Sequence, residues 1–104
     1  MKTTSKKRLE IVIEAPMLER LTRKLDEMGL PGYTVTPAVC GRGREGSWSG
    51  QGAITDSGQM FVLFALLDAA HLDEVLEAVY AIVSRQIGIV TVSDVEVIRA
   101  EHFW

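Results

Sequence analysis

The residues best suited to chemistry lie in one glycine-rich stretch, residues 41–52, which holds five of the nine glycines. Glycine lets a backbone approach a ligand closely and present its N–H groups. Arg42 and Arg44 add forked cationic donors that suit phosphate or another oxyanion. The stretch lacks the Gly-Lys-Ser/Thr ending of a P-loop. We therefore expect the long loop over 41–58 to be either an anion site or a flexible connection with solvated arginines.

Trp48, in the same loop, is a candidate contact for a partner protein, because tryptophan is enriched at interfaces. Its burial against the base of the loop is the alternative. Cys40 stands alone, and His71 and His102 are far apart, so no metal-ligand spacing is present in the sequence. A nucleophilic cysteine would also need a base and an orienting group. The sequence thus predicts neither a metal site nor an enzyme.

Length and charge narrow the class of protein. The chain has 104 residues, a net charge of −3 and a pI near 5.3. This length predicts one domain, and the acidic balance excludes a generic nucleic-acid binder because no broad basic face is available. No apolar run approaches the ~20 residues of a membrane span, and no signal sequence follows the basic N-terminus. With a single cysteine, which fits a reducing compartment, we expect a cytoplasmic protein that is not an integral membrane protein.

Hydrophobic periodicity predicts the elements that position these residues, because apolar side chains alternate along strands and recur every three or four residues along helices. The elements are strand 8–14, helix 16–28, strand 33–36 with an extension toward 40, strand 59–67, helix 72–83 and a last strand or strand pair over 89–98. This βαββαβ order predicts an α+β, ferredoxin-like domain over residues 8–104, with a four-stranded antiparallel sheet and two helices on one face. The long loop joins strands two and three, residues 1–7 are expected to be a flexible tail, and the apolar strand 60–67 is expected to be covered on both faces, one of them by another subunit.

Four short strings carry a family resemblance that spans roughly residues 9–103. They are Gly-Tyr-Thr-Val at 32–35, Gly-Arg-Gly-Arg at 41–44, Ser-Gly-Gln at 49–51 and Val-Ile-Arg at 97–99. In their order and predicted elements, these strings resemble the PII signal-transduction superfamily. The chain looks most like its carbon-side PII-like branch, which includes regulators encoded beside bicarbonate transporters and the carboxysome-associated PII-like protein.

The resemblance implies a non-enzymatic homotrimer with an adenine nucleotide in each cleft between subunits. Loop 41–58 would be the T-loop, whose shape reports the ligand to a transporter or a carboxysome-linked protein and so regulates inorganic carbon uptake or fixation. By position, the implied nucleotide contacts are Gly32 and Thr34 near the base and, near the phosphates, Gly41, Gly43, Arg44, Gly88 and Arg99.

One departure from the family pattern bears on the ligand. Nitrogen-side PII proteins have a Gly-Asp-Gly-Lys B-loop, whereas residues 86–90 here read Gln-Ile-Gly-Ile-Val, without lysine or aspartate. A charge-assisted contact contributes ~1.5–3 kcal/mol, so its loss favours ADP or AMP over ATP. Arg42, Arg44 and Arg99 are also candidates for holding a bicarbonate ion.

A second hypothesis keeps the same fold but changes the function. The chain would then be a trimeric protein that handles metal or other ions, like the cation-tolerance proteins. The scarcity of histidine and cysteine disfavours this hypothesis, because these side chains are the usual transition-metal ligands. The sequence leaves open which protein is the partner and how ADP ranks against AMP.

Overall fold

The computed structural model describes residues 1–43, 46–49, 58–84 and 88–99. The elements in these ranges are β1 (Thr4–Glu14), α1 (Ala15–Glu27), β2 (Thr34–Ala38), β3 (Cys40–Gly43), β4 (Gly46–Ser49), β5 (Met60–Leu67), α2 (Ala69–Val83) and β6 (Gly88–Val97). Four strands form one antiparallel sheet in the order β2-β5-β1-β6, and β3 and β4 form a separate hairpin. The predicted ferredoxin-like class is confirmed. None of the described helices is long and apolar enough to cross a membrane.

Both helices pack on one face of the sheet because the strands alternate. In β1, Leu9, Ile11 and Ile13 are fully buried on this face, and alternate residues of β5 are buried beside them. Helix α1 ends where Gly29 adopts a φ of 79°, in the left-handed region that favours glycine. The apolar stripes of the two helices complete the core with Leu21, Leu25, Val75, Val79, Ile82 and Val83.

The N-terminal boundary differs from the prediction. The sequence predicts a tail over 1–7, but β1 begins at Thr4 and pairs with the end of β6. The hydroxyls of Thr3 and Ser5 donate hydrogen bonds to the carboxylate of Glu96 at 2.8 and 2.6 Å. The prediction is wrong for residues 4–7 because these polar side chains find partners on the neighbouring strand.

A partly buried ion pair marks the start of α2. Asp68 occupies the N-cap position, but its carboxylate pairs with the ammonium of Lys6 rather than with the helix N–H groups. The Lys6 side chain is only 7% exposed, whereas that of Asp68 is 34% exposed. The helix begins directly after Asp68, at Ala69, which is three residues before Leu72, the first residue of the apolar period.

The sheet face turned away from the helices is partly apolar. Its half-buried apolar side chains include Val12, Val62, Phe64 and Leu66. Ile89 of β6 is 62% exposed and lies opposite Val12 on the same face. Strand β5 was expected to be covered on both faces, but within one chain the helices cover only one. We call the other face the open face.

Candidate functional site

The predicted site residues are divided between the two edges of the sheet. Gly32 precedes the edge strand β2, Thr34 begins it, and both are exposed. Gly88 begins β6, at the other edge. Two strands lie between these edges, and at ~4.8 Å per strand the edges are ~14 Å apart. A single chain therefore does not bring Thr34 into contact with Gly88.

Arg99 lies beyond the opposite end of β6 from Gly88. The strand runs from Gly88, opposite Ile13, to Val97, opposite Thr4. The nine steps from residue 88 to residue 97, at ~3.3 Å each, place these ends ~30 Å apart. Arg99 is exposed two residues further on. Gly88 and Arg99 of one chain thus cannot contact the same phosphate.

The first part of loop 41–58 forms the β3–β4 hairpin, which the sequence did not predict. Its pairing sets Gly41 opposite Trp48. The indole lies directly on this glycine, since an ideal Cβ at Gly41 would come within 2.5 Å of Trp48 Cζ2. Trp48 is half-buried. Trp48 therefore packs against the base of the loop, which is the alternative stated from the sequence.

Of the loop arginines Arg42 and Arg44, only Arg42 is among the described residues. Arg42 is exposed, and its Nε donates a hydrogen bond to Ser47 Oγ at 3.3 Å across the hairpin. Arg44 and residues 50–57 lie outside the described residues. Gly43 is exposed, and a Cβ there would have no neighbour within 4 Å. The backbone at Gly43 is therefore open to a ligand.

Tyr33, between Gly32 and Thr34, makes a contact that sequence reasoning missed. Its hydroxyl donates a hydrogen bond to Asp26 Oδ1 at 3.0 Å. Partial burial, together with the hydrogen bond and the negative charge of Asp26, raises the pKa of Tyr33 above its ordinary value of 10.0. The neutral phenol therefore ties the turn at Gly32 to the last turn of α1.

A further cation lies near Thr34 on the open face. Thr34 is paired with Phe64 of β5, and the guanidinium carbon of Arg8 lies 4.9 Å from the centroid of that ring. Arg8 also pairs with Glu10 at 2.8 Å. The alternation that buries Leu9 puts Arg8 on the opposite face, and this was the sequence signal that could have identified it.

Gly88 has a structural requirement that is independent of any ligand. A Cβ at this position would lie 2.9 Å from the backbone oxygen of Val12 and 3.9 Å from Val83 Cβ. At Gly32, by contrast, nothing lies within 4 Å of such a Cβ. The close approach of β6 to β1 is thus a sufficient reason for glycine at position 88.

The acidic and sulfur-bearing side chains are dispersed. Cys40 is an exposed free thiol. Across 1–43, 46–49, 58–84 and 88–99, no three side chains of histidine, cysteine, aspartate or glutamate are grouped so that they could hold a metal ion. The site features available in these ranges are therefore exposed glycine backbone and arginine side chains.

The family follows from a direct comparison. The family model of the nitrogen regulatory protein P-II matches residues 6–102, and the chain belongs to this family. No curated protein matches the chain.

Solved structures extend this result. The chain is similar to CPII, a nitrogen regulatory PII-like protein from Thiomonas intermedia K12, in a structure bound to ADP, AMP and bicarbonate. The TM-score is 0.87 and the sequence identity is 27%, over 97% of this chain and 95% of that chain. A second CPII structure, bound to ADP and bicarbonate, gives 0.86 and 28% over 99% and 98% of the two chains. A protein of Thermus thermophilus assigned as a PII-like signalling protein gives 0.82 and 26% over the whole of both chains. The PII-like resemblance is confirmed.

Proposed function

We propose that the protein is a non-enzymatic PII-like sensor that binds adenine nucleotides, with ADP or AMP favoured over ATP, and takes bicarbonate as a co-ligand. The observation that carries the proposal is the agreement of fold, over almost the full length of both chains, with CPII bound to ADP and bicarbonate. The exposed glycines and arginines of this chain supply the donor types that such ligands need.

The geometry of the chain favours a nucleotide site shared between copies. Thr34 lies at one edge of the sheet, and Arg99 follows the end of the strand at the other edge. These two residues can meet one nucleotide only if they come from different chains. The half-buried apolar side chains of the open face provide surface for the required association. We therefore propose a homotrimer with one cleft between each pair of neighbouring subunits.

The preference for ADP or AMP rests on the cations available for the phosphates. Arg99 at the end of β6 and the loop residues Arg42 and Arg44 are the proposed phosphate contacts. The stretch 86–90 has no lysine that could reach an outer phosphate. A charge-assisted contact contributes ~1.5–3 kcal/mol, and the γ-phosphate of ATP lacks the contact that such a lysine would make. The γ-phosphate therefore gains little to offset the cost of its desolvation.

Bicarbonate is the proposed co-ligand because it is a small planar anion. It can accept two parallel hydrogen bonds from an arginine, as a carboxylate does. Next to a phosphate it would be repelled unless a guanidinium lies between the two anions. Among Arg42, Arg44 and Arg99, one arginine in that position would serve both. If bicarbonate changes the affinity for the nucleotide by some factor, the nucleotide must change the affinity for bicarbonate by the same factor.

The loop is the proposed output of the sensor. A ligand that approaches the backbone of Gly41 meets the surface that the indole of Trp48 covers. Ligand binding would therefore displace the indole and change the shape of the β3–β4 hairpin. We propose that a cytoplasmic partner, a transporter or a carboxysome-linked protein, reads this change. No observation in the described ranges favours the ion-handling alternative.

Subunit mixing tests both the nucleotide site and its sharing. Thr34→Tyr blocks one half of the proposed site with a bulky side chain, and Arg99→Ala removes a cation from the other half. Each variant alone should bind ADP weakly, whereas unfolding and refolding them together should restore about one quarter of the sites, since one interface in four combines two intact halves. The same variants mixed without refolding are the control.

Two outcomes contradict the proposal in different ways. If wild-type protein does not bind ADP, the proposed function is wrong. If it binds ADP but refolded mixtures show no recovery, Thr34 and Arg99 do not meet in a site shared between chains. Light scattering checks the assembly independently, and a species near the monomer mass of 11.5 kDa would contradict the trimer.

A further inference from the structure

A groove of about 620 Å³ runs between the two helices, on the side of the molecule opposite the open face. Helix α1 and its C-cap residue Met28 line it at five positions, spaced i, i+3, i+4, i+7 and i+8 from Arg20. Helix α2 lines it at the same spacing, counted from Glu74. Each helix therefore presents one continuous face to the groove over about two turns.

The two walls of the groove carry opposite net charge. The α1 wall has three bases, Arg20, Arg23 and Lys24, and one acid, Glu27, whereas the α2 wall has two acids, Glu74 and Glu77, and no base. Arg23 pairs with Glu19 on its own helix, at 2.7 Å. Among the described residues, no ion pair within 4.0 Å joins the two walls. Charges of both signs therefore line the groove, and none of them is neutralised by an ion pair across it in the part of the chain that the structure describes.

Small and apolar side chains lie between these charges. Ala78 and Ala81 of α2 line the groove next to the partly buried Met28 and the buried Ile82. Alanine at two adjacent lining positions lets the backbone of an occupant approach α2 closely. The groove thus combines an apolar floor with one mainly basic and one acidic rim.

We propose that this groove binds an amphipathic helix of a partner protein, with acidic residues along the edge that faces α1 and basic residues along the edge that faces α2. A third helix matches the three- and four-residue spacing of both walls. A nucleic acid or an anionic membrane would be attracted by the α1 wall but repelled by Glu74 and Glu77.

The size of the groove sets the character of the binding. From Arg20 to Met28 the contact extends eight residues, or ~12 Å of helix. Two turns bury less surface than the ~1,200 Å² of a stable interface. The helix therefore binds transiently, and the charged rims provide selectivity and a fast association rate.

The groove is separate from the proposed nucleotide site. None of its lining residues is among the proposed ligand contacts, and the lining belongs to α1 and α2 rather than to β2, β6 or the hairpin. A failure of this inference therefore leaves nucleotide binding unaffected, and the two are distinguishable when both are measured on each variant.

The probe is a synthetic, fluorescein-labelled helical peptide of about 18 residues, with an alanine and leucine stripe, glutamates along one edge and lysines along the other. A scrambled peptide of the same composition, which has no continuous stripe, is its control. A peptide with the two edges exchanged is not a control, because turning it end to end restores the match. Fluorescence anisotropy with the full-length protein should give at least tenfold tighter binding for the striped peptide.

Matched variants of the protein locate the binding. Lys24→Glu reverses one groove charge and Lys2→Glu reverses an exposed charge outside the groove; Glu74→Lys and Asp73→Lys form the same comparison on α2. We expect the groove variants to weaken the striped peptide about three- to tenfold and the others to have little effect. ADP binding should be unchanged in all four.

Three results would overturn the inference. In the first, the striped peptide binds no tighter than the scrambled one. In the second, Lys2→Glu weakens binding as much as Lys24→Glu, which indicates long-range electrostatics alone. In the third, light scattering shows that Lys24→Glu changes the oligomeric state, which assigns the groove to a second copy of the chain.

Discussion

Alanine at position 88 should destabilise the protein whether or not this residue contacts a nucleotide. The new Cβ would lie 2.9 Å from the carbonyl oxygen of Val12. Both groups belong to paired backbone of β1 and β6, so neither can turn aside as a side chain could. The strands must separate locally or shift, and overpacking of this kind costs about 1–3 kcal/mol. Gly43→Ala is the matched control, because its Cβ would have no neighbour within 4 Å.

Urea unfolding at one fixed protein concentration measures the effect, since the stability of an assembly depends on concentration. We expect Gly88→Ala to lower the free energy of unfolding by about 1–3 kcal/mol. Gly43→Ala should leave it unchanged or raise it by up to about 1 kcal/mol through the unfolded chain. A Gly88→Ala protein as stable as the wild type would refute the reasoning from close approach.

Three further predictions test the site and the strand pairing. Arg99→Ala should weaken ADP binding about 10- to 100-fold, because a charge-assisted contact to phosphate is lost; calorimetry that gives an unchanged ADP affinity would contradict the assignment. Gly41→Ala should force the indole of Trp48 off the hairpin and lower hydrogen-exchange protection of β3 and β4, whereas unchanged protection would count against the contact. Hydrogen bonds from the hydroxyls of Ser5 and Thr3 lower the pKa of Glu96 below its ordinary 4.5. The carboxylate therefore stabilises the fold above pH 4.5, and this contribution is lost as the pH falls through the lowered pKa. The free energy of unfolding below pH 4.5 should depend less on pH in Glu96→Gln than in the wild type, and an equal pH dependence of the two proteins would contradict this prediction.

The fold could be predicted because most elements bury one clear apolar stripe. Leu9, Ile11 and Ile13 alternate in the sequence and are all fully buried. The predicted start of β1 was wrong because polar residues, rather than apolar ones, fix this part of the chain to its neighbours. Residues 4–7 form the start of β1 through ladder bonds and ion pairs, and the single-residue alternation that identifies a strand is absent there.

The family resemblance supplied candidate site residues but not their arrangement. It implied Gly32, Thr34, Gly88 and Arg99 as nucleotide contacts without placing them on opposite edges of the sheet, because strand order is set by long-range pairing. The hairpin was missed for a different reason. Residues 40–49 are mostly small or polar, so their pairing leaves no hydrophobic period to detect.

The central claim is that this chain senses adenine nucleotides together with inorganic carbon. The most direct test is calorimetric titration of the protein with ADP in bicarbonate and in chloride at equal ionic strength and pH, repeated with AMP and with ATP and magnesium. We predict saturable binding of ADP or AMP at least as tight as that of ATP, and an ADP affinity that changes with bicarbonate but not with chloride. Identical affinities in the two salts would reduce the protein to a nucleotide sensor, ATP binding tenfold tighter than ADP would contradict the assigned phosphate contacts, and the absence of nucleotide binding in both salts would contradict the claim itself.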